Sequence, residues 1–186
     1  KREVVVTALG CITALGDTPD AVFDALCAGR SGIGGQGPFP GKGPVAAIPG
    51  GPHKSSDLAL HAVRQLGCPP GPVAVVGATT SGDMVVGEEA YQAVLDGSDP
   101  TPSFIWPQLA DRPTQIVARE LGFTGPRTTL STACSSGAAA VGIAAEWVAS
   151  GRVERAVAFG ADALCRMTVH GFGSLGAMSD DRARPF

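Results

Sequence analysis

Short β-branched runs, each followed within a few residues by a helical pattern, recur along the chain and limit its fold more than any other feature. "EVVVTALG" (3–10), "GPVAVVGATTSG" (71–82), "RTTLSTA" (127–133) and "ERAVAFGADAL" (154–164) read as strands. Between them, "TPDAVFDALCAG" carries Val22, Phe23, Leu26 and Cys27 at helical spacing, with Thr18 or Asp17 as cap and Gly29 as stop. "SSDLALHAVRQLG" reads as a helix capped by Ser55 or Ser56, and "EEAYQAVLDG" as another. "PTQIVARELGF" is a further helix, with Pro113 in its first turn and Gly122 as its stop. The strands are near-continuous apolar runs, as in strands covered on both faces. Such alternation predicts an α/β fold around a mostly parallel sheet.

The stretch "TLSTACSSGAAAVGIAAEWVASG" (129–151) raises the chemical question. A strand runs into a tight turn at Cys134, and a helix follows whose one charge is Glu146. A helix apolar all round is expected to be buried on all sides. The free N–H groups and positive dipole end of such a helix favour an anion at its start, and a thiolate is one. Cys134 there is placed for nucleophilic attack, and the same N–H groups can hold an oxyanion on a carbonyl substrate. Ser131, Thr132, Ser135 and Ser136 are small enough to let a substrate approach closely. The alternative is that Cys134 is a small apolar residue filling a gap, and spacing alone leaves both readings open.

Other features narrow the field. With 186 residues the chain suits one domain, and 44% hydrophobic against 17% charged residues argues against disorder. A net charge of −3 without a basic cluster disfavours nucleic acid as a partner. No apolar run is long enough to span a bilayer and the N-terminal stretch does not read as a signal peptide, so a soluble, cytoplasmic protein is expected. Cys11, Cys27, Cys68, Cys134 and Cys165 are scattered, odd in number and lack a C-x-x-C pair, which fits reduced thiols rather than disulfides or zinc. His53, His61 and Cys68 lack a fourth ligand, so no metal and no cofactor is expected. "GFGSLG" (171–176) matches a dinucleotide fingerprint but lacks the preceding strand, and "PGKGP" around Lys42 lacks the P-loop Ser or Thr; both read as loops. The Gly/Pro-rich stretch 34–52 and the mixed-charge "SDDRARPF" read as loops too. Asp162, ending a strand, is either a catalytic acid or, more commonly for such a position, a local hydrogen-bond acceptor.

"STACSSG" resembles the nucleophile motif of the β-ketoacyl-acyl-carrier-protein synthases, the condensing enzymes of fatty acid and polyketide synthesis, and is closest to their elongating type. "VVVTALGCITALGD", "AGRSGIG", "VASGRVERAVAFGADAL" and "GFGSLGAMSDDRARPF" resemble further family segments in the right order, so the likeness covers nearly the whole chain. It implies a thiolase-like, layered αβαβα fold made of two similar halves and normally dimeric. It gives Cys134 the acyl-accepting role, with an acyl carrier protein or coenzyme A as donor and malonyl-carrier protein as extender. Phe172 matches an acyl-pocket phenylalanine, at a spacing one residue shorter than usual.

The family also uses two histidines, a lysine and a glutamate from its second half, and those motifs are not in this sequence. His53 and His61 precede Cys134, and His170 follows the fourth strand. The resemblance therefore implies that residues 1–186 are the N-terminal portion of a synthase, with the C-terminal half outside this chain and the first half itself incomplete. The missing strand is expected to leave an apolar edge uncovered. Three functions compete: a condensing enzyme completed from elsewhere, a non-condensing acyltransferase or partner subunit of a ketosynthase heterodimer, and a thiol hydrolase of another α/β fold.

Overall fold

A computed structural model of the chain describes residues 2–36, 44–51, 53–98, 106–179 and 183. At its centre lies a three-stranded sheet of β3 (Ala74–Ala78), β4 (Arg127–Leu130) and β5 (Ala156–Gly160), ordered β4-β3-β5 and wholly parallel. Val75 pairs with Arg127 on one side and with Val157 on the other. A tiny antiparallel pair, β1 (Gly35–Gln36) and β2 (Pro44–Val45), lies apart from it. The helices are α1 (Pro19–Cys27), α2 (Ser55–Arg64), α3 (Met84–Leu95), α4 (Arg112–Glu120), α5 (Ser136–Ala149) and α6 (Arg166–Ser174).

Every residue of β3 is buried, because the sheet is covered on both faces. Side chains alternate across a strand, so Val75 joins Ala59, Val63 and Val117 of α2 and α4, whereas Val76 and Ala78 join Ala140 and Ala144 of α5. The expected parallel α/β arrangement is what the chain adopts. Thr18 caps α1 by accepting the Ala21 amide at 3.2 Å, and Pro113 stands in the first turn of α4. Gly29 and Gly122, with left-handed φ of 68° and 66°, follow α1 and α4 as the spacing predicts.

Gly77 lets α4 approach the sheet. A Cβ there would strike Thr114 Oγ1 and lie 2.9 Å from Phe159 Cζ. Thr114 has little room to move, being buried and hydrogen-bonded to Thr129 through the two hydroxyls at 2.6 Å. Gly77→Ala is accordingly expected to cost about 2 kcal/mol through overpacking. Thermal denaturation should read this as a fall of roughly 4–8 °C.

Several sequence expectations need correction. Residues 3–10 form no strand, and Val5, Val6 and Leu9 are 67%, 77% and 71% exposed. A β-branched run becomes a strand only by pairing, and here it has no strand partner among the described residues. It is anchored at its ends instead: the Arg2 amide donates to Ala149 O at 3.1 Å, and Gln65 bonds the backbone of Cys11. The predicted apolar stripe of α1 is not buried: Phe23, Leu26 and Cys27 lie exposed, Val22 is half-buried and only Ala25 is fully buried, because no other described element packs against this helix.

The start of α2 also departs from expectation. Lys54 occupies the cap position, and Ser55 and Ser56 are already helical. Their hydroxyls turn to the loops at the strand ends, Ser55 to Gly82 O and Ser56 to the Asp83 carboxylate. Nor is α5 buried on all sides. One face packs on the sheet, while Gly137, Ala138, Val141 and Gly142 are exposed with no described element over them.

Finally, "GFGSLG" is not a loop at its start. Residues 171–174 belong to α6, whose first amides, of Arg166 and Met167, are capped by the Glu88 carboxylate at 3.0 and 2.7 Å. That acceptor comes from α3, so the neighbouring sequence carries no sign of it. Lys42 lies outside the described residues, as does "SDDRARPF" apart from Ser179 and Ala183.

Candidate active site

Cys134 sits where β4 gives way to α5, inside a 3-10 turn at Ala133–Ser135, and it is exposed. The residue before it, Ala133, has φ 55°. Among the described residues no other non-glycine takes a positive φ. A left-handed L-residue costs about 1–2 kcal/mol, so the surroundings must hold it there.

Hydroxyl groups do so. Ser136, at the first position of α5 and buried, accepts a hydrogen bond from the Thr132 amide at 2.8 Å and donates one to Ala133 O at 2.7 Å. Ser135 Oγ donates to Thr132 O at 2.8 Å. The Cys134 amide has no hydrogen-bond partner among the described residues. A thiol and a free N–H therefore stand together on a braced turn, the pairing that attack on a thioester carbonyl requires.

The remaining thiols differ from it. All five cysteines are free. Cys165 is buried, with Sγ 3.1 Å from Thr168 Oγ1. Burial, and then the charge of Asp17, push the Cys11 thiol above its ordinary range. Cys27 is exposed at the last residue of α1, the negative end of that helix dipole.

Asp162 proves to be a brace at the same edge of the sheet. Its carboxylate accepts from Thr79 Oγ1, the Thr80 amide, the Ser81 amide and Ser81 Oγ, all at 2.8–3.0 Å. The turn after β3 is thus tied to the end of β5, and the Thr79 amide ties it to Leu130 O of β4 at 3.1 Å. In parallel sheets this edge, outside the carboxyl ends of the strands, is where ligands bind.

Phe172 is 48% exposed on α6, which packs on α3. A cleft of about 220 Å³ at Ile48, His53, Leu58, Asp162 and Leu164, and another of about 330 Å³ beside Arg2 and Arg152, leave Cys134 outside their linings. His53 bonds Pro49 O at 3.0 Å and His61 bonds Asp17 O at 3.4 Å. Among the described residues no three His, Cys, Asp or Glu side chains converge to hold a metal, and no helix is long and apolar enough to cross a membrane.

Residues 62–186 match the family model described as the β-ketoacyl synthase N-terminal domain. The chain belongs to this family. It is 28% identical, along its whole length, to 3-oxoacyl-[acyl-carrier-protein] synthase 2 of Synechocystis sp., covering 53% of that protein. It is 29% identical to nodulation protein E of Rhizobium meliloti, again over its whole length and 53% of the relative. In structure it resembles the ishigamide ketosynthase/chain length factor, with a TM-score of 0.87 and 27% identity over 97% of this chain and 52% of that one. The chain spans about half the length of the curated relatives it matches.

What sequence reasoning missed is the support beneath the cysteine. The strain at Ala133 leaves no mark in residue types, but the hydroxyl of Ser136 at i+4 from Thr132 was a readable sign of a local side-chain bond.

Proposed function

We propose that this β-ketoacyl synthase domain carries the acyl-accepting half of a condensing reaction, with Cys134 as nucleophile. The thiolate attacks the thioester carbonyl of an acyl carrier protein or coenzyme A, the carrier thiol leaves as it takes up a proton, and the acyl group remains on Sγ. Malonyl-carrier protein then loses carbon dioxide, and the resulting carbanion attacks the acyl-enzyme carbonyl. A new carbon–carbon bond forms as the Cys134 thiolate departs. The observation that carries this reading is the exposed Cys134 beside its own unpaired amide on the turn braced by Ser136.

Decarboxylation needs proton-donating groups beside the cysteine, whereas His53 bonds Pro49 O, His61 bonds Asp17 O and His170 lies on α6. We assign those groups to a second fold half outside residues 1–186, without which the domain is inactive. The uncovered apolar face of α5 supports this, because small residues at Gly137, Ala138 and Gly142 suit close packing of another helix in a layered fold. Phe172 is assigned to the acyl pocket that this second half completes. The same reading makes the assembled protein a cytoplasmic dimer of ketosynthase-like subunits without a cofactor.

A heterodimer with a chain-length partner is the second reading, favoured by the ketosynthase/chain length factor likeness. Within such a pair Cys134 points to the acylated subunit. Labelling by iodoacetamide in the full-length protein tests the choice. Stoichiometric modification of Cys134 that abolishes condensation is the expected result. Acyl transfer without carbon dioxide release would indicate a non-condensing acyltransferase, and acyl hydrolysis as the main outcome would indicate a thiol hydrolase.

A further inference from the structure

Resting on the reading of Cys134 as acyl acceptor, we infer that Ser136 is a positioning residue for it, a hydroxyl clamp that keeps Ala133 left-handed and thereby aims the Cys134 amide and thiol together. Ser136 Oγ bonds on both sides of the strained residue, to the Thr132 amide and to the Ala133 carbonyl. Those bonds close across residue 133 from the first turn of α5, so they resist the one rotation that would remove the strain. Without them Ala133 can fall into the right-handed region that other residues at a helix start prefer. The helix would then begin earlier, and the Cys134 amide would turn toward an intrahelical acceptor. Burial of Ser136, 4% exposed, keeps water from replacing the hydroxyl.

The two chemistries of Cys134 separate this role from a merely structural one. Alkylation by iodoacetamide needs the thiol but develops no oxyanion. Acylation by a thioester needs both the thiol and the aimed amide. In the full-length protein, Ser136→Ala is expected to slow acylation of Cys134 by octanoyl-coenzyme A about thirtyfold, within the range that small misplacements cost. Alkylation of the same residue should slow no more than about threefold, because its transition state gains nothing from an oxyanion donor.

Ser136→Thr, which keeps the hydroxyl, should restore acylation. Should Ser136→Ala fold poorly, the double variant Ser136→Ala/Ala133→Gly serves instead, since glycine takes the left-handed conformation unaided. Its acylation should approach that of the unmodified protein. Equal loss of both rates, no loss of either, or no recovery in the threonine and glycine variants overturns the clamp. Absence of acylation in the unmodified protein overturns the acyl-acceptor reading itself, and is seen before any variant is made.

Discussion

Cys134→Ala is expected to lower acyl transfer from a thioester by about a thousandfold or more, because covalent catalysis has no second route once the nucleophile is gone. Its melting temperature should barely change. Cys134 is exposed, and surface substitutions usually stay within about 0.5 kcal/mol. Steady-state acyl transfer and thermal denaturation of the same preparation check both halves of the statement. Cys27→Ala should leave transfer untouched, since that thiol is exposed at the wrong end of its helix.

Asp162→Ala is expected to show the reverse pattern, a large loss of stability that takes activity with it. The substitution removes the charged acceptor of four donors, among them the hydroxyls of Thr79 and Ser81, both buried residues. Hydrogen bonds to charged groups contribute about 1.5–3 kcal/mol, and buried donors left unpaired add to the loss. A total near 3 kcal/mol corresponds to roughly 6–12 °C in a domain of this size. Asp162→Asn keeps one carbonyl acceptor and should lie between the two. Denaturation midpoints of the three proteins order them, and equal midpoints would show that the turn after β3 is held by something else.

Much of the scaffold was legible because its signals are local. β-branched runs such as "VAVV" and "AVAF" bounded by turn residues read as strands, and Thr18, Pro113, Gly29 and Gly122 mark helix ends through chemistry in their own neighbourhood. The place of Cys134 between β4 and α5 was legible for the same reason, since a strand, a small-residue turn and a helix stand in direct succession. What failed depended on partners far along the chain. "VVVTALG" has the propensity of a strand but no described neighbour to pair with, and α5 has the composition of a buried helix but a cover on one face only. The helix through Phe172 is started by Glu88, 78 residues earlier for the Arg166 amide, and no pattern in "GFGSLG" announces that. Asp162 reaches back as far to Thr79 and Ser81. In the last two cases a bond across the fold decided the structure, in the first two the lack of a described partner, and spacing within a window shows neither.

The most direct measurement is peptide mapping by mass spectrometry after the full-length protein has been incubated with octanoyl-coenzyme A and quenched in acid. The peptide containing Cys134 is predicted to carry the octanoyl group in near-stoichiometric amount, and to lose it once malonyl-carrier protein is added. An acyl group found on Cys27 or another residue, or condensation proceeding while Cys134 stays unmodified, would contradict the account.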